Sequence, residues 1–179
     1  QKNTAMIDAV EIDADAAAQA KENVSAYRWR ERIHVVQGDV LHWNPAKKYD
    51  CIIANPPFYE DDLKSAKQTK NMAHHGDGLR LEELLKLIKE YLSEDGVFFL
   101  LLPAKRMNDL RTLLKGSSLD LHKIARVKQT THHLPFRLMV QGGAKRNEPV
   151  IEEEITIKDN FHQYTRQFVS LLKDYYLHL

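Results

Sequence analysis

The chain has 179 residues, 43% of them apolar and 28% charged, with a formal net charge of +1. That balance suits a folded domain with a real hydrophobic core, and no apolar run approaches the ~20 residues a membrane-spanning helix needs. So small a net charge gives no hint of a nucleic-acid partner, but Lys105 to Arg146 holds ten Lys or Arg residues against Asp109 and Asp120 alone. Such a run reads either as an RNA-facing surface or as a solvated face.

In chain order, Met6 to Asp13 predicts a short buried strand ending in acids, followed by an alanine-rich helix over Ala14 to Ala26 with Asp13 as N-cap. Ile33 to Gln37 is a second strand, closed by Gly38-Asp39. Tyr49 to Ala54 is a third; it runs into Asn55-Pro56-Pro57-Phe58, where two prolines forbid further ladder hydrogen bonds. Cys51, the single cysteine, reads as a small buried hydrophobe in that strand. One thiol permits no internal disulfide and suits a reducing compartment, hence a cytoplasmic protein.

Leu81, Leu84, Leu85, Ile88 and Leu92 repeat at helical spacing, predicting a helix from about Leu79 to Leu92. Asp95-Gly96 turns the chain into the apolar run Val97 to Leu102, a central parallel strand. Lys105 to Leu114 is a helix stopped by Gly116. Leu119 to Thr130 and Arg137 to Gln141 predict an antiparallel pair at a sheet edge, joined through Leu134-Pro135. Ile151 to Ile157 is a last strand, and Tyr164, Phe168, Leu171, Leu172 and Tyr175 mark a C-terminal helix. Trp29, Trp43, Tyr175 and Tyr176 read as packing residues.

Strands alternating with helices indicate an α/β fold with a doubly wound, mainly parallel sheet. Ligands then sit beyond the carboxyl ends of the strands. Three of those ends carry the notable residues: Glu11 to Asp13, Gly38 to Val40, and Asn55 to Phe58. An acid such as Glu11 can accept hydrogen bonds from a ribose diol, a device shared by nicotinamide dinucleotides and S-adenosylmethionine. Asp39 could accept from the exocyclic amine of a cofactor's adenine, with Val40 and Leu41 against the ring, although Gly38-Asp39 alone is an ordinary turn.

Asn55-Pro56-Pro57-Phe58 is the strongest signal. An aryl amine is a poor nucleophile because its lone pair is delocalised into the ring. Two acceptors, the Asn55 side-chain oxygen and the Pro56 carbonyl, can favour a pyramidal nitrogen and aim its lone pair at a sulfonium methyl. Pro57 would stiffen the loop, and Phe58 offers a face for stacking on an extruded base. The work is positioning for in-line displacement rather than general-base catalysis.

This tetrapeptide resembles the amino-methyltransferase signature of class I S-adenosylmethionine-dependent enzymes. More narrowly, Val10 to Asp13, the alanine-rich helix, Ile33 to Asp39 and Ile52 to Tyr59 look like the bacterial valine-tRNA adenine-N6 methyltransferase family. The likeness continues through Gly96 to Pro103, Leu134 to Arg137 and the helix from Tyr164. It implies a Rossmann-like sheet of seven strands, S-adenosyl-L-methionine as cofactor and tRNA as partner. It also implies Glu11 at the cofactor ribose, Asp39 at its adenine, Ile12, Val40 and Asn55 as further cofactor contacts, and Asn55 to Phe58 around the target amine. That family opens its cofactor site with a strand and a glycine-rich loop. No glycine precedes Gly38, so residues 1–179 are expected to be a single methyltransferase domain truncated before that loop, neither active nor stable alone.

Lys64, Lys67 and Lys70, with His74, His75 and Arg80, follow the catalytic loop and read either as a phosphate grip or as a solvated loop. Lys105 and Arg137 are weaker candidates for RNA contact. His74-His75 and His132-His133 lack the accompanying Cys or acid cluster of a metal site, so no metal is expected. The oligomeric state is left open, a monomer being compatible.

Alternatives keep the cofactor and change the acceptor to guanine N2 in ribosomal RNA, adenine N6 in DNA or a protein glutamine. A nicotinamide-dependent oxidoreductase would give Asn55 to Phe58 no role, and a non-catalytic RNA-binding remnant would lack the glycine-rich loop.

Overall fold

The computed structural model describes residues 4–56 and 79–176. They gather into two compact units, divided between Ala46 and Lys47.

The first unit is a two-stranded parallel sheet with one helix. Strand β1 (Ile7–Glu11) pairs in register with β2 (Ile33–Gln37), from Ile7 opposite Ile33 to Glu11 opposite Gln37. Between them α1 covers Ala14–Ser25. Asp13 starts that helix as expected, its Oδ1 accepting from the Ala16 amide at 2.8 Å, and Ala17 is its buried contact. A small helical face suffices because a parallel crossover must lie close to the strands it joins.

The second unit is a five-stranded mixed sheet in the order β3-β4-β6-β5-β7. Its strands are β3 (Tyr49–Ala54), β4 (Leu92–Pro103), β5 (Leu119–Thr130), β6 (Arg137–Ala144) and β7 (Ile151–Lys158). β3 and β4 are parallel, β6 is antiparallel to both β4 and β5, and β7 is parallel to β5. Four strands therefore run one way and only β6 runs back.

Helices α2 (Leu81–Tyr91) and α3 (Met107–Leu114) cover one face of this sheet. Leu84, Leu85, Ile88, Leu110 and Leu114 meet Phe98, Leu100, Leu102, Ile124, Leu138 and Val140 in the main core. Each such side chain contributes about 1.5–3 kcal/mol relative to exposure. The other face is covered beside β5 and β7, where Phe168 of α4 (Arg166–Leu172) packs with Ala125, Val127 and Ile155. Helices on both faces make the sheet doubly wound, as the alternating pattern predicted.

Several expectations are corrected. The seven described strands form two sheets, of two and five strands, rather than one, because β1 and β2 are hydrogen-bonded only to each other among the described residues. The β5–β6 pair is antiparallel but internal: β7 adds outside β5, since residues 145–150 are long enough to bring the chain back alongside it. Asp95-Gly96 makes no separate turn. Tyr49 faces Leu92 and Cys51 faces Val97, so β4 absorbs three surplus residues in a bulge, with Ser93 Oγ donating to Asp50 Oδ1 at 3.1 Å across it.

Cys51 is exposed rather than buried, because it and Ile53 alternate with Ile52 and Ala54, the side chains of β3 that pack toward α2 and α3. Partial desolvation nevertheless pushes its thiol above the ordinary cysteine range. Tyr175 and Tyr176 are exposed too, since α4 ends at Leu172 and its apolar contacts close with Phe168.

Candidate functional site

In the first unit the parallel register brings the carboxyl ends of β1 and β2 together, and with them Glu11 and Asp39. The Gly38 amide donates to the Glu11 carbonyl at 2.8 Å, locking the two turns side by side. Glu11 is half-buried; its Oε1 accepts from the Asp13 amide at 2.9 Å. A carboxylate has about four lone-pair sites, so acceptor capacity remains for a diol. Asp39 Oδ1 accepts from the Leu41 amide at 2.9 Å, and Oδ2 faces His42 Nδ1 at 3.2 Å. It thus caps a short 3-10 turn over Val40–His42, which holds Val40 half-buried beside it. Ile12 is exposed, and the Gln37 side-chain amide donates to its carbonyl at 3.2 Å. Two acids, an exposed apolar side chain and a fixed turn make an acceptor set beside an apolar surface, chemistry that could take hydrogen bonds from a diol or an amine and lie against a flat ring.

In the second unit, β3, β4, β5 and β7 all end at one rim, joined there by the start of β6. Asn55 and Pro56 close β3 at that rim, Asn55 exposed and Pro56 buried. The side-chain amide is therefore open to a ligand while the proline behind it is held by packing. Lys105 follows β4 in a 3-10 turn (Ala104–Arg106) and is exposed. Arg137 begins β6, with its guanidinium carbon 5.6 Å from the centre of the Phe136 ring and Nη1 donating to the Phe136 carbonyl. The Ala104 amide donates to that same carbonyl at 3.1 Å, so the turns carrying Lys105 and Arg137 are joined.

Arg80 stands at the start of α2, the end of that helix on the side of the same rim, because α2 runs back from the carboxyl end of β3 to the start of β4. The Arg80 backbone and guanidinium both donate to Glu83 at 3.0 Å. Those bonds hold the Glu83 carboxyl below the usual carboxylate range. Pro57, Phe58, Lys64, Lys67, Lys70, His74 and His75 lie outside the described residues. Among the described residues, no group of three or more His, Cys, Asp or Glu side chains is placed to hold a metal ion, and no helix is long and apolar enough to cross a membrane.

The basic run from Lys105 to Arg146 is partly matched by acids. Arg111 and Arg126 both bind Glu152, Lys123 binds Glu153 and Lys128 binds Glu154, at 2.8–3.0 Å. Parallel pairing of β5 with β7 sets Arg126 opposite Glu154 and Ile124 opposite Glu152, an alignment invisible in the sequence order.

A pocket lined by Arg111, Lys115, Asp120, Lys145 and Val150 lies at the opposite end of the sheet. It is away from the rim where parallel strands present ligands. Sequence reasoning did not single out the loop after β7, where Phe161 is 83% exposed; only its place between strand and helix could have pointed to it.

Residues 1–129 match the family model described as methyltransferase small domain. The chain is 35% identical over 175 residues to the tRNA1(Val) (adenine(37)-N6)-methyltransferase of Bacteroides thetaiotaomicron, covering 98% of this chain and 73% of that protein. It is 32% identical to the enzyme of the same name from Parabacteroides distasonis, covering 99% and 76%. In structure it is similar to a predicted O-methyltransferase from Agrobacterium tumefaciens, with a TM-score of 0.67 at 14% identity over 93% of this chain and 76% of that one. A glycopeptide N-methyltransferase solved with S-adenosyl-L-methionine aligns with a TM-score of 0.53 at 13% identity, over 77% of each chain. The fold is thus that of class I methyltransferases, and the chain belongs to the methyltransferase small domain family.

Proposed function

We propose that the chain transfers a methyl group from S-adenosyl-L-methionine to the N6 amine of an adenine in tRNA, the adenine next to the anticodon of valine tRNA. The observation that carries this reading is Asn55, exposed at the carboxyl end of β3 with Pro56 buried behind it. In this reading the Asn55 side-chain oxygen and the Pro56 carbonyl are the acceptor pair for an aryl amine. The names of the relatives at 32–35% identity support the acceptor. The family match across residues 1–129 spans both units and supports reading them as one methyltransferase domain.

When bound, the cofactor supplies an electrophilic methyl on a sulfonium. Glu11 holds its ribose, Asp39 its adenine amine, and Ile12 and Val40 flank the ring. Asn55 and Pro56 orient the N6 nitrogen. The amine becomes acidic as it is methylated, so its proton leaves to water without a dedicated base. Lys105 and Arg137 meet tRNA phosphates, with Lys64 and Arg80 as further contacts, and the enzyme works in the cytoplasm.

The test incubates the protein with labelled S-adenosylmethionine and tRNA from cells lacking the enzyme, then digests the RNA to nucleosides for mass spectrometry. New N6-methyladenosine is the expected result. Label on guanosine, on protein or nowhere discards the adenine assignment.

A further inference from the structure

We propose that the loops following β5 and β7 form one continuous surface for a single-stranded stretch of the tRNA, with Phe161 as its stacking platform. This rests on tRNA being the substrate. The loops, residues 131–136 and 159–165, lie side by side because β5 and β7 are parallel neighbours that end together. Thr131 Oγ1 donates to Asn160 Oδ1 at 2.6 Å and ties them.

The second loop is built to hold its aromatic ring outward. Asp159 Oδ1 accepts from the Phe161 amide at 2.8 Å and the Gln163 amide at 3.0 Å, and the Asp159 amide donates back to the Gln163 carbonyl at 2.8 Å. Lys158 and Tyr164 close the loop in a β-bridge. His162 has φ 61°, the left-handed region that non-glycine residues rarely occupy. A strained, fully bonded loop that leaves Phe161 83% exposed gains nothing from that ring in folding.

The surroundings match a polyanion with exposed bases. Lys158 Nζ lies 5.5 Å from the centre of the Tyr164 ring, itself stacked on Phe168 at 5.3 Å. The Arg137 guanidinium lies over the half-exposed Phe136. Cations set among aromatic rings, beside an exposed ring such as Phe161, are the recurring device of single-strand binding. The two loops hold one acid, Asp159, which is engaged by their own amides, against His132, His133 and His162. From β3 to β7 is four strand spacings of about 4.8 Å, or about 19 Å. Nucleotides flanking a base held at Asn55 would run along that rim toward Phe161.

In the whole protein, Phe161→Ala should raise both the Kd and the KM for an unmodified valine tRNA transcript by about five- to twentyfold, within the range of one lost base stack. The S-adenosylmethionine Kd should stay within twofold, and Phe161→Tyr should restore tRNA binding. Lys158→Ala should weaken tRNA binding and flatten its salt dependence. A Phe161→Ala protein that binds tRNA within twofold of the parent overturns the proposal, as does a cofactor Kd that worsens in parallel. If the parent methylates tRNA and the variant does so equally well, only this surface is wrong. If the parent neither binds nor methylates tRNA but labels protein, the substrate reading falls with it.

Discussion

Gly142 lies against the ring of Phe98 with no room for a side chain: a Cβ there would overlap the ring and stand 2.5 Å from the Asp120 carbonyl oxygen. Phe98 is fully buried at the centre of the five-stranded sheet, so it has nowhere to retreat. Gly142→Ala should lower stability by about 1–3 kcal/mol through overpacking, read as a lower denaturation midpoint with the slope unchanged. A midpoint equal to the parent's would mean that the β4–β6 contact yields more easily than its burial implies.

Asn55→Ala should remove at least about 100-fold of methyl transfer, on the scale of losing one positioned transition-state contact, while cofactor affinity stays within twofold. Steady-state kinetics and a cofactor titration separate the two. Parallel loss of both would make Asn55 a structural residue of the β3 end.

Glu11→Ala should weaken S-adenosylmethionine binding about tenfold or more, the size expected when a charged acceptor is removed from a hydrogen-bonded diol. Calorimetric titration checks it. The Glu11 carboxylate also holds the Asp13 amide, so Glu11→Gln, which keeps that bond, is the control. If Gln binds the cofactor as poorly as Ala, the diol is what was lost.

Asp13→Ala should cost about 1 kcal/mol by removing the cap on the Ala16 amide, with loss of helical signal from α1. Asp13→Asn should recover most of it, because the amide oxygen still accepts.

Glu152 is held below the usual carboxylate range first by its hydrogen bond to Arg126 and then by the charges of Arg126 and Arg111. A depressed folded-state pKa adds stability that is fully present above the ordinary glutamate value, about 4.3, and is lost as pH falls through the folded one. Glu152→Gln should therefore lower stability slightly at pH 7, where the contribution is present, flatten the decline below about pH 5 and converge with the parent in acid. An unchanged acid limb would show that the ladder between β5 and β7 is energetically silent, as many exposed ion pairs are.

Much of this molecule was legible in the sequence, and the boundary of legibility is physical. Strands β2, β3 and β5 begin and end where the apolar runs do, and Asp13, Gly116 and the Asn55-Pro56 stop act through local chemistry alone. Gly116 indeed takes φ +83° after α3. What periodicity could not reveal depends on neighbours distant in the chain. The exposure of Cys51 follows from which face of β3 meets α2 and α3. The neutralised stretch of Lys123 to Lys128 follows from β7 choosing β5 as partner. The placement of Glu11 and Asp39 at the strand ends of the first unit, and of Asn55 past β3 in the second, was readable because each follows the end of an apolar run. Phe161 was not, since its prominence comes from a hydrogen-bonded loop rather than from a pattern.

The reversal of β6 has an evolutionary consequence. Because that one strand runs against the rest, the bend between β5 and β6 opens on the same rim as the ends of β3 and β4. Residues 131–134 can change in length or composition without altering the register that sets Ala54 opposite Leu100, while Phe136 stays bonded to Val127 and Ala104. What that rim touches can thus change without rebuilding the sheet beneath it.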